Sequence, residues 1–175
     1  MSDLTAIVTA HSDAVWRTAY RLLNNHEDAL DCYQETFLAA LRLSRTDEVR
    51  HWRTMLLRIA TRKAIDRLRQ RYHREQASDS LEQLALARPP VEAPDARALD
   101  EELHEQVRWA LGALPPQQAE AFWLRHLEQL SPSDVAELMG IEPGHVRVLV
   151  HRAAAGLRTF LGPSFGPAPI SEESP

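Results

Sequence analysis

The sequence lacks the residues that several classes of protein need. Cys32 is the one cysteine among the 175 residues, so the chain can form neither an internal disulfide nor a cysteine-rich zinc site. No apolar run approaches the roughly 20 residues that a membrane-spanning helix requires, and no basic segment precedes an apolar stretch at the start. We therefore expect a cytoplasmic protein that does not insert into membranes.

Signatures of catalysis are also missing. The 8 histidines are scattered, and the sequence contains no H-E-x-x-H, no G-x-S-x-G and no glycine-rich phosphate loop. Asp28, Asp31 and Glu35 fall on one face of a predicted helix, but neither histidine nor a second acidic helix supports a metal site there. A docking face for a basic partner is the better interpretation. We expect no enzyme activity, no metal and no cofactor.

What is present is globular and helical. Hydrophobic residues make up 44% of the chain and charged residues 26%, and the length allows two small cores. Every persistent periodicity is helical, so we predict an all-α fold. The first helix ends near Asn24, a second runs from about Glu27 to Leu43, and a third from about Val49 to His73. On the second, we expect an inward face of Leu30, Tyr33, Phe37 and Leu41.

Charge and proline content divide the chain into two small helical domains joined by a flexible linker. Between Arg42 and Glu75 the net charge is +7, whereas from Gln76 to Gln106 it is −6. Prolines and serines mark the acidic stretch as a linker. The predicted boundaries are a first domain at 1–74, the linker at 75–98, a second domain at 99–161 and a disordered tail at 162–175.

The second domain contains a helix-turn-helix pattern, SPSDVAELMGIEPGHVRVLVHRAAAGLR, which starts at Ser131. Ser131 suits an N-cap, Pro132 the first helical position, and Gly140 a left-handed turn between two helices. Val146 and Leu149 then face inward. The outward set, which would meet a DNA major groove, is His145, Arg147, His151 and Arg152. A helical hairpin with a solvated charged face is the alternative.

Three segments together resemble bacterial sigma factors of the extracytoplasmic-function group, which keep two domains called region 2 and region 4. EDALDCYQETFLAALR, from Glu27, resembles region 2.2, and HWRTMLLRIATRKAIDRLRQR, from His51, resembles the block that follows it. The segment from Ala110 to Arg158 resembles region 4, from its A-L-x-x-L-P opening to its R-A-x-x-x-L-R close. The match covers roughly residues 8 to 161.

The resemblance implies a role for each segment. Region 2.2 would dock on core RNA polymerase through Asp28, Asp31, Gln34, Glu35 and Phe37. The arginine-rich helix would bind the promoter's minus-ten element through Trp52, Arg58, Arg62, Lys63, Arg67 and Arg69. The helix-turn-helix would read the minus-thirty-five element through the four outward residues named above. Where the family favours G-T-V-K-S-R-L, Gly144–Val150 lacks the polar Ser-Arg pair, so this helix either binds an unusual sequence or contacts mainly phosphates.

The leading hypothesis is therefore a sigma factor that directs core RNA polymerase to a subset of promoters, with an anti-sigma factor as a further expected partner. Two alternatives stay open. One is a sigma-like interaction module that binds a regulator without reading DNA. The other is a stand-alone helix-turn-helix regulator, which would bind an operator without polymerase.

Overall fold

The structure is a computed structural model that describes residues 4–46, 49–82 and 96–162. Most of the expected linker and the tail beyond Gly162 lie outside these residues. The described part contains helices and no strand, which confirms the all-α prediction, and none of its helices is long and apolar enough to cross a bilayer. The helices are α1 (Leu4–Leu23), α2 (His26–Thr46), α3 (Trp52–Glu82), α4 (Ala96–Ala113), α5 (Pro116–His126), α6 (Pro132–Met139) and α7 (Pro143–Leu161).

Helices α1, α2 and α3 form an N-terminal bundle. Val15, Ala19 and Leu22 are fully buried on α1, as their helical spacing predicts, and Ile65 and Leu68 are buried on α3. Asn24 takes a left-handed conformation, with φ of 47°, and so turns the chain from α1 into α2. α3 continues to Glu82, beyond the end near His73 that the sequence pattern suggested.

The inward face of α2 differs from the one we predicted. Leu30, expected in the core, is 40% exposed, while the small residues Ala29, Cys32 and Ala40 are completely buried. These small side chains let α2 approach its neighbours closely, and the Cys32 thiol donates a hydrogen bond of 3.5 Å to the Ala60 carbonyl of α3. A leucine side chain at this contact would hold the two helices apart, which explains why α2 turns its small residues, and not Leu30, toward α3.

The C-terminal helices α4 to α7 form the second unit. Pro115 ends the preceding turn and Pro116 occupies the first position of α5, which needs no backbone N–H there. α7 packs against both α4 and α5. At Gly156 of α7, an added Cβ would lie 2.5 Å from a methyl group of Leu114, the residue that follows α4, so α7 passes close to the end of α4.

The two units pack against each other, which the sequence did not predict. α3 contacts α4, α5 and α6, and one hydrophobic core draws on α1, α2, α3, α4, α5 and α7. Its largest members are Leu22, Leu23, Ile65, Leu68, Leu111, Leu114, Trp123 and Leu157. In this arrangement the second unit covers part of the α3 surface that the sequence assigned to nucleic acid.

Candidate functional site

Helices α6 and α7 form the helix-turn-helix that the sequence predicted. The Ser131 hydroxyl accepts a hydrogen bond from the Asp134 backbone N–H at 3.1 Å, and the Asp134 carboxylate accepts one from the Ser131 N–H at 3.2 Å. This reciprocal pair is a capping box, which fixes the start of α6. Gly140 then adopts a left-handed conformation, with φ of 67°, and ends the helix.

The buried side of the motif holds α7 in place and leaves its other side open. Val135 and Ala136 of α6 meet Val146 of α7, and all three are at most 3% exposed. The four predicted DNA-contact residues, which are His145, Arg147, His151 and Arg152, all lie on the exposed side of α7. Val148, on the same helix, is a large hydrophobic residue that stays 42% exposed. α7 therefore presents a mixed cationic and apolar face.

The basic face of α3 is partly neutralised by α2. Lys63 and Arg67 of α3 both bind the Glu35 carboxylate, at 3.2 Å and 2.8 Å. Arg71, one helical turn beyond Arg67 on α3, binds Asp28 of α2, also at 3.2 Å. Hydrogen bonds from Arg67 and Lys63 outweigh partial burial and lower the pKa of the Glu35 carboxyl. Residues that the sequence assigned to two different partners are thus paired with each other here.

Arg58 is held by the second unit. Its Nε lies 2.9 Å from Oε1 of Glu120 on α5, and its Nη1 donates to the backbone carbonyl of Leu138 on α6. The Glu120 side chain is only 7% exposed and that of Arg58 only 23%, so this ion pair is largely shielded from water. Arg58 therefore lies in the contact between the two units and is not free to bind DNA in this arrangement.

The other predicted minus-ten residues differ in their surroundings. Arg62 is exposed and Arg69 half-buried, and neither has an ion-pair partner among the residues that the structure describes. Trp52, at the start of α3, is half-buried against the cluster that contains Phe37, Ala40 and Leu56. The predicted set therefore does not form one open surface.

The predicted docking face on α2 is only partly accessible. Asp31 and Gln34 are exposed, whereas Phe37 is 8% exposed and belongs to the core. Sequence reasoning missed Leu30 and Leu38, which are 40% and 55% exposed and fall near Gln34 on the helix surface. Their i, i+4, i+8 spacing with Gln34 was the signal that would have found them. Within the described ranges, no three His, Cys, Asp or Glu side chains gather closely enough to hold a metal.

Comparisons with known proteins match both units in this order. Residues 7–74 match the family model for Sigma-70 region 2, and residues 104–155 match that for Sigma-70, region 4. The RNA polymerase sigma factor CarQ of Myxococcus xanthus is 33% identical over 153 residues, which cover 87% of this chain and 85% of CarQ. The chain belongs to the sigma-70 family of RNA polymerase sigma factors. α1 to α3 thus correspond to region 2, and α4 to α7 contain region 4.

A second relative points to the extracytoplasmic-function group. The ECF RNA polymerase sigma factor SigE of Mycolicibacterium smegmatis is 32% identical over 165 residues, or 92% of this chain. The chain spans 62% of the length of SigE. These likenesses confirm the resemblance drawn from the sequence motifs.

A solved structure shares the fold. The sigma factor RpoE from Bartonella quintana, crystallised in complex with the anti-sigma factor NepR, superposes with a TM-score of 0.56 at 23% identity. The likeness covers 92% of this chain and 98% of RpoE. The likeness shows that the two chains share a helical fold.

Proposed function

We propose that this chain is a non-catalytic transcription initiation factor that acts in the cytoplasm, binds core RNA polymerase and directs it to a subset of promoters. The observation that carries the proposal is the intact helix-turn-helix with His145, Arg147, His151 and Arg152 all exposed on α7. A helix held in this way enters a major groove with its N-terminal residues at the base edges. Region 4 would then bind the minus-thirty-five element.

Region 2 supplies the other two interactions in this proposal. The α3 side chains Arg62, Arg69, Lys63 and Arg67 would contact the minus-ten strand, joined by Trp52 and by Arg58 once it is released from Glu120. The α2 face formed by Asp28, Asp31, Gln34 and Glu35 would dock on polymerase, with Leu30 and Leu38 adding apolar contact area. Exposed leucines beside acidic residues suit a partner helix that carries both apolar and basic side chains.

The decisive experiment is reconstitution with core polymerase on a genomic DNA library. We expect a stable complex, promoter-specific transcripts, and recovered fragments that share two short sequence elements. Arg147→Ala should weaken use of the upstream element and Arg62→Ala opening at the downstream one. No complex with core polymerase and no specific transcript would contradict the proposal.

A second candidate is a sigma-like module that binds a regulator, such as an anti-sigma factor, without reading DNA. It is favoured by the pairing of Arg58, Lys63 and Arg67 within the chain, and by the apolar Val148 and Leu149 where the family carries a Ser-Arg pair. It predicts tight binding to the regulator and no salt-dependent affinity for DNA. Titration of the full chain with promoter fragments at several salt concentrations separates the two candidates.

A further inference from the structure

Three aromatic side chains from different helices meet at one end of the molecule, where α7 ends. The rings of Tyr72 on α3 and Trp109 on α4 have centroids 4.7 Å apart, and those of Trp109 and Phe160 on α7 have centroids 5.6 Å apart. Both pairs meet edge to face. Phe160 is 42% exposed, and Tyr72 and Trp109 are half-buried. We call these three residues the aromatic shelf.

The shelf is held in place by close helix packing. A Cβ added at Gly112 of α4 would lie 2.7 Å from the Leu68 carbonyl oxygen and 3.3 Å from Cβ of Tyr72. The absence of a side chain at Gly112 therefore lets α4 carry the Trp109 ring up to Tyr72. Aromatic side chains fixed in this way provide contact area at little entropic cost, which is typical of an interaction surface. The shelf belongs to neither of the faces assigned above to polymerase and DNA.

The chain supplies a segment that can reach the shelf. Gly162 ends α7 with a φ of 84°, and its N–H donates to the Arg158 carbonyl at 2.9 Å. A left-handed residue at this position turns the chain away from the helix axis. The residues that follow, PSFGPAPISEESP, lie outside the described part and include Phe165. Because Phe165 comes five residues after Phe160, their Cα atoms are at most about 18 Å apart, so every ring of the shelf lies within its reach.

The composition of this C-terminal segment, residues 163–175, suits an aromatic surface. It contains Pro163, Pro167 and Pro169 around Phe165, followed by Ile170. Proline-rich sequences favour the extended polyproline II conformation and dock on aromatic-lined surfaces, because little backbone entropy is left to lose. A phenylalanine adds a further edge-to-face contact with exposed rings. The segment therefore has the chemistry that the shelf would bind.

The charges of the segment and of the shelf's surroundings are complementary. Residues 163–175 include Glu172 and Glu173 and no Lys or Arg. On the described side, Arg158 is exposed in the last turn of α7, and His73, whose ring lies 5.5 Å from that of Tyr72, is exposed on α3. Acidic residues beside the apolar ones thus favour this segment as the occupant of the shelf.

We propose that the aromatic shelf is the docking site of the chain's own C-terminal segment, with Phe165 packed against Trp109 and Phe160. The covalent connection favours this occupant over a separate molecule. A segment joined by a few residues has an effective local concentration on the order of millimolar, so even a weak contact keeps it docked for much of the time. Docking of the segment is independent of the proposed function and adds to it an interaction of the chain with itself.

Fluorine NMR of the full-length chain, labelled with 5-fluorotryptophan, tests the contact with Trp109. The chain contains 4 tryptophans, so the spectrum should contain four signals, and Trp109→Phe identifies the one from Trp109. We expect Phe165→Ala to move the Trp109 signal by more than its line width, because the neighbouring ring is lost, and to leave the other three in place. Ser164→Ala is the matched control, since it changes the same segment and keeps the ring.

Cleavage by chymotrypsin after Phe165 measures how often the segment is undocked. Phe160→Ala removes part of the shelf and leaves this cleavage site intact. We expect this variant of the full-length chain to be cut after Phe165 about threefold faster or more, because the rate scales with the undocked fraction. Mass spectrometry under native conditions follows the product. Leu38→Ala, which truncates an exposed leucine on α2, is the control and should be cut at the wild-type rate.

The two measurements together decide whether the segment occupies the shelf. A moved Trp109 signal in Phe165→Ala, together with faster cleavage in Phe160→Ala, supports docking, and if either property stays as in the wild type, docking is overturned. A Trp109 signal that depends on protein concentration and not on Phe165 would identify a second copy of the chain as the occupant. One that responds to added core polymerase and not to Phe165 would identify polymerase. Both results overturn the proposal and leave promoter recognition, which reconstitution tests, untouched.

Discussion

Val148 offers a direct test of how α7 reads DNA without the polar pair that the family favours. It is 42% exposed on the outer side of the helix-turn-helix, one turn from both His145 and Arg152. In the major groove, the apolar group that a base pair presents is the methyl group of thymine. We predict that Val148 contacts one thymine in the upstream promoter element.

The size of the effect follows from the area that one methyl group can bury. Burial of a single CH₂ or CH₃ group contributes about 0.8 kcal/mol, which corresponds to roughly fourfold in affinity. Replacement of that thymine by uracil removes the methyl group and leaves base pairing unchanged. Wild-type protein should lose about fourfold in affinity, and Val148→Ala should show little difference between the two duplexes.

Anisotropy titrations with matched thymine and uracil duplexes measure this at each position of the recovered upstream element. Leu38→Ala is the control, because it truncates an exposed leucine on α2, outside the helix-turn-helix. It should distinguish thymine from uracil duplexes as well as the wild type does. Equal affinity of the wild type for every thymine and uracil pair would refute the reasoning. So would a Val148→Ala variant that keeps the full discrimination.

Other substitutions test the charge, capping and burial of the same molecule. Arg147→Ala and Arg152→Ala should each reduce the slope of log affinity against log salt concentration by about 0.9 if the arginine binds a phosphate. Gel-shift titrations at several salt concentrations measure this slope. An unchanged slope with an altered base preference would instead indicate that the arginine contacts a base. Ser131→Ala removes the N-cap of α6 and should lower the free energy of unfolding by about 1 kcal/mol, measured by urea denaturation. Burial raises the pKa of the Cys32 thiol from 9.0 to about 11, so the native thiol stays protonated while the unfolded chain ionises. The free energy of unfolding of the wild type should therefore fall between pH 9 and pH 11 more steeply than that of Cys32→Ala, which has no thiol to ionise. Parallel pH profiles of the two proteins would contradict the burial argument.

The helix-turn-helix was predictable because its signals are local. Ser131, Pro132 and Gly140 specify the cap, the first turn and the left-handed end of α6 within ten residues of sequence. Neither the packing partner nor the rest of the chain is needed to interpret them. The structure places Val146 and Leu149 inward and the predicted DNA-contact residues outward, as the sequence spacing indicated.

The orientation of α2 and the pairing of the arginines were not predictable in this way. Leucine is more hydrophobic than cysteine or alanine, so the sequence pattern predicted that Leu30 faces the core. The buried residues are instead Cys32 and its small neighbours, which fit the close contact between α2 and α3. Glu35 and Arg67 belong to different helices, and their contact of 2.8 Å follows from how those helices cross. The apolar stripe on α4 likewise predicts a buried face, but not that part of this face packs against α3 of region 2.

The internal ion pairs differ in how strongly they oppose DNA binding. Glu35 and Asp28 are each 45% exposed, and ion pairs at such positions contribute about 0.2–1 kcal/mol, so promoter phosphates can replace them at little cost. Glu120 is shielded from water, and breaking a buried pair by removing one partner commonly costs about 3–5 kcal/mol. Lys63 and Arg67 would therefore need only a local exchange of partners to bind DNA, and Arg71, which also pairs with the exposed Glu105 of α4 at 3.6 Å, would exchange two weak partners. Arg58, by contrast, stays paired with Glu120 and bonded to the Leu138 carbonyl for as long as the two units are packed together.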